Sequence, residues 1–201
     1  MFNKNNVYNK IILFSIGSTQ EARMLIQDYK GYPRVSVFVR DKGTKNKAVS
    51  KINFAINKQG LYVIVNALEK MLYKRKETST TIQMFSPVWV DDKQTNDIKE
   101  VGKLTVGKKE IDKQFITYFK VESNMGLKFS FKVLPSPYVK IFKDDTLLQG
   151  EALSEVWAES YCTMLKGILD LSLEAHDETT SLDSAVKSKV INNIDKELEA
   201  I

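Results

Sequence analysis

The sequence predicts an α+β protein with two tandem units, each an antiparallel sheet of about four strands followed by one helix. Two observations lead to this prediction. In each half of the chain apolar and polar residues alternate, which is typical of half-buried strands. Each alternating stretch then gives way to apolar residues at helical spacing. The two halves therefore form pseudo-repeats over residues 8–76 and 80–170, within a domain spanning 1–173.

The first unit contains strands at its start and a helix at its end. Asn57 is a suitable N-cap for that helix, and the basic residues 74–76 suit its last turn because cations favour the C-terminal end of the helix dipole. The predicted elements are strands over Lys10–Ile16, Arg23–Gln27, Tyr32–Arg40 and Lys51–Ile56, and a helix from its cap Asn57 to residues 74–76 with the apolar stripe Leu61, Ile64, Val65, Leu68, Met71 and Leu72.

The second unit repeats this plan after residue 80. Pro87 indicates an edge strand or a bulge, because proline cannot donate to a neighbouring strand. Thr146 followed by Gln149 has the spacing of a capping box, which predicts that the second helix begins there. The predicted elements are strands over Thr80–Val90, Glu100–Val106, Gln114–Val121 and Leu127–Leu134, a polar loop over Asp91–Asp97, and a helix with the apolar stripe Leu153, Val156, Trp157, Tyr161, Met164, Leu165, Ile168 and Leu169.

The charge is unevenly distributed along the chain. Thirty Lys+Arg and 25 Asp+Glu give a net charge of +5. Residues 174–201 hold three basic and seven acidic residues, so residues 1–173 carry the remaining 27 and 18. A basic body with an acidic tail is expected when the body binds a polyanion, although lysine-rich surfaces also serve solubility alone.

The composition argues against several classes of protein. No apolar run is long enough to span a bilayer and no signal peptide is evident, so we expect a cytoplasmic protein without membrane contact. One cysteine, Cys162, and one histidine, His176, exclude an internal disulfide framework and the common zinc sites. No nucleophile elbow, Walker motif or dinucleotide fingerprint occurs. We therefore expect no enzyme activity, no cofactor and no metal, and interpret Cys162 as a packing residue.

Positions on the strands that face away from the predicted core combine cations with aromatic rings. Single-stranded nucleic acid needs both, because cations neutralise phosphates and unpaired bases stack on flat rings. A ring on such a face can equally be buried against a helix or another subunit. The candidate residues on the strands are Arg34, Phe38, Arg40, Lys51, Asn53, Gln83, Phe85, Trp89, Lys103, Tyr118, Lys120, Lys128 and Lys132. Lys42, Lys45 and Lys47 lie in a predicted basic loop between two strands, which either binds phosphates through these lysines or is only a hairpin tip.

Three stretches carry a resemblance to a known family: KINFAINKQGLYVIVNALEKML at 51–72, the strands between Lys99 and Leu134, and TLLQGEALSEVWAESYCTMLKGIL at 146–169. In this plan the chain resembles Whirly-type single-stranded nucleic-acid-binding proteins and, more distantly, PUR domains. The resemblance implies two roughly perpendicular antiparallel sheets and a tetramer formed through the helices. It also implies that the outward sheet faces bind single strands with little sequence preference.

The C-terminal segment adds a second resemblance. Bacterial and phage single-strand-binding proteins often end in an acidic segment with apolar terminal residues, which recruits replication proteins. The tail at 174–201 is similar, and a composition rich in Lys, Asn and Ile suggests an AT-rich genome and hence a bacterial or phage-infected host cell. The residues that this resemblance assigns to partner binding are Asp195, Glu197, Leu198, Glu199 and Ile201.

The sequence thus favours a single-stranded DNA-binding protein of replication, recombination or repair. Two alternatives remain open. An RNA-binding protein of the same fold would carry the same cations and rings, since nothing in the sequence reads a 2′-hydroxyl. A structural or virion assembly protein would bury the same rings in subunit contacts.

Overall fold

The computed structural model describes residues 10–14, 22–29, 32–40, 48–91, 93–135 and 139–170. Side chains are described within these ranges except at residues 10–14, 28, 29, 32, 40, 48–51, 89 and 94. The described chain is α+β, with antiparallel sheets and two helices. This agrees with the fold class that the sequence predicts.

Four antiparallel strands, hydrogen-bonded in chain order, form the first sheet. They are β1 (Lys10–Phe14), β2 (Ala22–Tyr29), β3 (Tyr32–Arg40) and β4 (Ala48–Ala55). Val35, Val37 and Val39 on β3 are buried, as their alternation predicts. Val37 faces Ile52 but Phe38 faces Ser50, so Lys51 is the extra residue of a β-bulge that the alternation did not reveal.

Helix α1 (Lys58–Met71) follows the first sheet and begins where the sequence predicts. The Asn57 side chain accepts a hydrogen bond from the Gly60 backbone N–H at 2.6 Å, as an N-cap does. The whole predicted stripe from Leu61 to Leu72 is buried. The prediction that residues 74–76 form the last turn of this helix is wrong, because the helix ends at its C-cap Leu72 and these residues lie beyond it.

The second sheet repeats the arrangement of the first, with four antiparallel strands in chain order. They are β5 (Thr78–Val90), β6 (Lys93–Ile111), β7 (Gln114–Ser123) and β8 (Lys128–Lys132). β5 lies at the sheet edge and its register shifts after Pro87. Both the edge strand and the bulge that Pro87 indicates are therefore confirmed. Leu127, the first residue of the predicted strand Leu127–Leu134, lies outside β8 and is exposed.

The polar loop predicted over Asp91–Asp97 is wrong, because most of it belongs to β6. This strand has 19 residues, and its first part pairs with the end of β5, where Trp89 faces Gln94 and Val90 faces Lys93. Val90 and Ile98 are exposed there. A hairpin end that covers no core lacks the apolar alternation by which strands are recognised in a sequence.

The second helix, α2, occupies residues 150–170 of the described chain. It follows a short hairpin of β9 (Phe142–Lys143) and β10 (Thr146–Leu147). The predicted capping box is wrong, because Thr146 belongs to β10 and its hydroxyl donates to the Asp144 carbonyl at 3.4 Å. The predicted stripe is shifted, since Met164 is exposed while the small residues Ser154 and Ala158 are buried. Small residues let the helix approach its neighbours closely.

One hydrophobic cluster unites residues of both sheets and both helices. Phe54 of the first sheet lies against Gly102 of the second, where an added Cβ would stand 2.5 Å from the ring. Glycine is therefore required at this contact between the sheets. Ser154 anchors α2 to the second sheet, since its hydroxyl accepts from the Thr117 N–H at 3.0 Å and donates to the Val133 carbonyl at 3.1 Å.

Among the described residues, one lysine lies inside the core, where the second sheet meets both helices. Lys108 of β6 is 1% exposed. Its ammonium donates to the Leu72 carbonyl at the end of α1 and to Glu155 Oε1 of α2, the latter at 2.9 Å. Lys108 therefore connects three elements through one buried charge. Within the described residues, neither helix is long and apolar enough to cross a membrane.

Candidate nucleic-acid interface

Polar side chains and one ring cover the face of the second sheet that points away from the core. On the core side Leu104, Phe119 and Phe131 are fully buried. Residues one position along each strand point the opposite way, and strand pairing aligns them in rows. We call this surface the outer face. Its rows are Gln83–Lys103–Glu122–Lys128, Thr81–Thr105–Lys120–Ser130 and Ser79–Gly107–Tyr118–Lys132.

Seven of the predicted site residues are brought together here. Strand pairing puts lysines of β6, β7 and β8 on one surface, and Phe85 extends it along β5 with 52% of its surface exposed. Glu100, opposite Phe85, accepts a hydrogen bond from Gln83 at 3.3 Å and pairs with Lys103 at 3.6 Å. The seven are Gln83, Phe85, Lys103, Tyr118, Lys120, Lys128 and Lys132.

A second carboxylate, after Glu100, pairs with lysines of the outer face. Glu122 Oε1 is 2.8 Å from the Lys120 ammonium and 3.4 Å from that of Lys128. The hydrogen bond from Lys120 is the main reason why the pKa of Glu122 is lowered. Glu122 therefore stays ionised at neutral and mildly acidic pH, and it offsets part of the positive charge of two neighbouring lysines.

Tyr118 lies across β6 because its neighbour on that strand is a glycine. A Cβ added at Gly107 would stand 2.7 Å from both Cζ and the hydroxyl oxygen of Tyr118. The Tyr118 ring thus lies against the backbone of β6, and the residue is half-buried. Such a ring is held by the sheet and offers its other side as a stacking surface.

The first sheet carries a second, smaller set of the predicted residues on its own outward side. Phe38 faces Arg23 across β2 and β3, which puts a ring beside a cation. Asn53 is exposed and its side-chain oxygen accepts from the Ser36 hydroxyl at 3.4 Å. Arg34, one row further, lies between Gln27 and Ala55. These residues do not share a sheet with the outer face, although β1 approaches β8.

The remaining predicted residues are not placed by described side chains. Arg40, Lys51 and Trp89 lie in β3, β4 and β5, but only their backbone is described. Lys42, Lys45 and Lys47 lie outside the described residues, as do the tail residues Asp195, Glu197, Leu198, Glu199 and Ile201.

Sequence reasoning missed Arg23 and Glu122. Arg23 is the first residue of the predicted strand Arg23–Gln27, and Glu122 lies one residue beyond the end of the predicted strand Gln114–Val121. What was missing was the register between strands, which places Arg23 beside Phe38 and Glu122 between Lys103 and Lys128. Register depends on hairpin geometry as well as on the apolar pattern.

Cys162 has no surroundings that would activate it. The residue is 4% exposed, and its sulfur lies 3.9 Å from the Val65 carbonyl where the helices meet. Burial raises the pKa of the Cys162 thiol, so the neutral form dominates at neutral pH. This is the behaviour of the packing residue that the sequence predicts. Within the described residues, no group of three or more His, Cys, Asp or Glu side chains is arranged to hold a metal ion.

Comparison with known proteins identifies no relative: no family model matches the chain, and neither does any curated protein or solved structure.

Proposed function

We propose that this chain is a single-stranded DNA-binding protein with little sequence preference, acting in replication, recombination or repair. The observation that carries the proposal is the outer face, where strand pairing places four lysines from three strands on the same surface as the ring of Tyr118. No catalytic role is assigned to any residue of this face. Binding itself is the proposed activity.

The lysines account for attraction to the backbone of the nucleic acid. Lys103, Lys128 and Lys132 are each a diagonal neighbour of Lys120 on an adjacent strand, and diagonal neighbours in a sheet are about 7–8 Å apart. The four cations therefore share one surface on which a single strand can contact them together. Phosphates that replace their bound counterions with these ammonium groups gain affinity, and this gain falls steeply as salt is added.

The ring accounts for a preference for single strands. Bases in a duplex stack on one another and are not free, whereas unpaired bases can stack on an aromatic side chain. Tyr118 is fixed flat by Gly107, and Phe85 is exposed further along the same face. The phosphates of a duplex would contact the lysines, but its paired bases would not stack on the rings. A duplex should therefore bind with lower affinity than a single strand.

The wider organisation follows from the Whirly-like plan. We propose that the sheets serve as binding surfaces in a homo-oligomer, a tetramer as the resemblance implies, within a bacterial or phage-infected cytoplasm. The acidic tail at 174–201 would recruit replication proteins through its terminal residues. Both proposals extend beyond the outer face and depend on the family resemblance.

The test is a titration of labelled oligonucleotides followed by fluorescence anisotropy over a series of salt concentrations. We expect single strands to bind more tightly than the duplex of the same sequence. Changing Lys120, Lys128 and Lys132 together to glutamine should reduce the slope of log K against log salt by about 2, since each phosphate contact contributes about 0.7. The matched control changes Lys70, Lys74 and Lys143, which lie away from the outer face, and should leave the slope unchanged.

Other outcomes of the same titration identify the alternatives. Equal affinity for duplex and single strand contradicts the proposal. Tighter binding of a matched RNA would make RNA the ligand, because only the 2′-hydroxyl distinguishes the two sugars. A large assembly in light scattering, with no oligonucleotide binding, would indicate a structural protein.

Glu122→Gln should tighten binding of single-stranded DNA about fivefold at low salt. The change frees Lys120 and Lys128 from their shared partner, and an ion pair of this kind is worth up to about 1 kcal/mol. Glu110→Gln is the matched control, since it removes the same charge at an exposed position outside the rows of the outer face. Unchanged or weaker binding of Glu122→Gln, measured by anisotropy, would show that these lysines do not meet the phosphates.

A further inference from the structure

A cleft opens at one corner of the outer face, beside the hydroxyl end of Tyr118. It encloses about 290 Å³ and is lined by Glu77, Thr78, Ser79, Lys108, Lys109 and Tyr118. Gly107, paired with both Ser79 and Tyr118, contributes no side chain, and the Tyr118 ring lies over its backbone and forms one wall of the cleft. Small-molecule sites typically measure about 300–1,000 Å³, so the cleft suits one flat ring rather than a longer ligand.

The charges of the cleft decide which part of a nucleotide enters it. Glu77 is held in place, since its Oε1 accepts a hydrogen bond from the Glu110 N–H at 3.1 Å. A carboxylate repels phosphate but accepts hydrogen bonds from N–H groups. Lys109 also lines the cleft and attracts the phosphate, whereas the ammonium of Lys108 is already bound to Leu72 and Glu155. The base therefore points inward and the backbone outward.

From this geometry we propose that the cleft is a base-reading subsite that favours guanine over thymine. The inference rests on the proposed function, because it assumes that a single strand crosses the outer face. Guanine presents two adjacent N–H donors on its Watson–Crick edge and can donate both to the Glu77 carboxylate, while its rings stack beside Tyr118. Thymine offers a single N–H donor on that edge. The Ser79 hydroxyl is available for either base, so it adds little discrimination.

The experiment compares two oligonucleotides of one length, one of thymine alone and one with a single central guanine. A single guanine avoids the four-stranded structures that guanine runs form. Anisotropy should show about tenfold tighter binding of the guanine oligonucleotide, which is the discrimination expected of a bidentate contact. Glu77→Gln should remove this difference, because the amide replaces one acceptor with a donor. The ratio of the two affinities is the readout, since the loss of a negative charge beside the phosphates tightens binding of both oligonucleotides alike.

The outcomes separate the subsite from the proposed function. Equal binding of both oligonucleotides by the unaltered protein overturns the subsite but not the single-strand binding. A guanine preference that survives in Glu77→Gln also overturns it. Absence of binding to either oligonucleotide overturns the proposed function and the subsite with it. Glu110→Gln is the control, because Glu110 contacts Glu77 only through its backbone N–H. The Glu110→Gln protein should therefore keep the preference for guanine.

Discussion

Lys108→Ala should lower the free energy of unfolding by about 3–5 kcal/mol, the usual cost of removing one partner from a buried charged pair. The substitution leaves the Glu155 carboxylate and the Leu72 carbonyl without the ammonium that they share. It also opens a cavity between the second sheet and the helices. The measurement is urea denaturation followed by circular dichroism, with the protein concentration held constant.

Two further variants separate the contribution of the buried charge pair to the free energy of unfolding from the contribution of the volume that the Lys108 side chain fills. Lys108→Met fills the space but provides no hydrogen-bond donor. It should therefore lower the free energy of unfolding by less than Lys108→Ala does. Glu155→Gln keeps an acceptor for Lys108 but removes the negative charge, and it should be less damaging than Lys108→Ala. A loss below about 1 kcal/mol for Lys108→Ala would mean that the side chain is not held in the core as described.

Tyr118→Ala should weaken single-stranded DNA binding by about 1–3 kcal/mol, or roughly 5- to 150-fold, which is the contribution of one stacked base. Tyr118→Phe keeps the ring and should bind within about twofold of the unaltered protein. Anisotropy titration measures both effects. Tyr73→Ala is the matched control, because Tyr73 is 68% exposed beyond the end of α1 and does not belong to the outer face.

Binding to the duplex provides an internal comparison for the same variant. If the ring acts by stacking, Tyr118→Ala should affect duplex binding much less than single-strand binding. Equal losses for both ligands would indicate that the substitution disturbs the sheet. If Tyr73→Ala weakens DNA binding and Tyr118→Ala does not, the interface lies on the helices.

The sequence predicted those parts of the fold that depend on local apolar pattern. Val35, Val37 and Val39 alternate cleanly and are buried, because one face of their strand covers the core. The stripe of α1 and the Asn57 cap are equally local. The face on which the candidate site residues lie was predictable to the same extent, since Tyr118 and Lys120 occupy the parity opposite to that of Phe119.

The features that sequence reasoning missed depend on contacts between distant residues. Lys108 is a charged residue in a strand pattern, and only the ends of α1 and α2 explain why it is buried. The pairing of Glu122 with Lys128 depends on the register of β7 and β8. The capping box failed because Thr146 pairs in a two-stranded hairpin, which competes with the helix start that its local sequence suggests.

The most direct test of the outer face as the binding surface is ultraviolet cross-linking to a thymine oligonucleotide, followed by tryptic digestion and mass spectrometry. The peptide covering 114–120, which contains Tyr118, should carry the main cross-link, and excess unlabelled single strand should suppress it. Cross-links confined to the helical peptide covering 59–70, which contains the exposed Tyr62, would contradict the account.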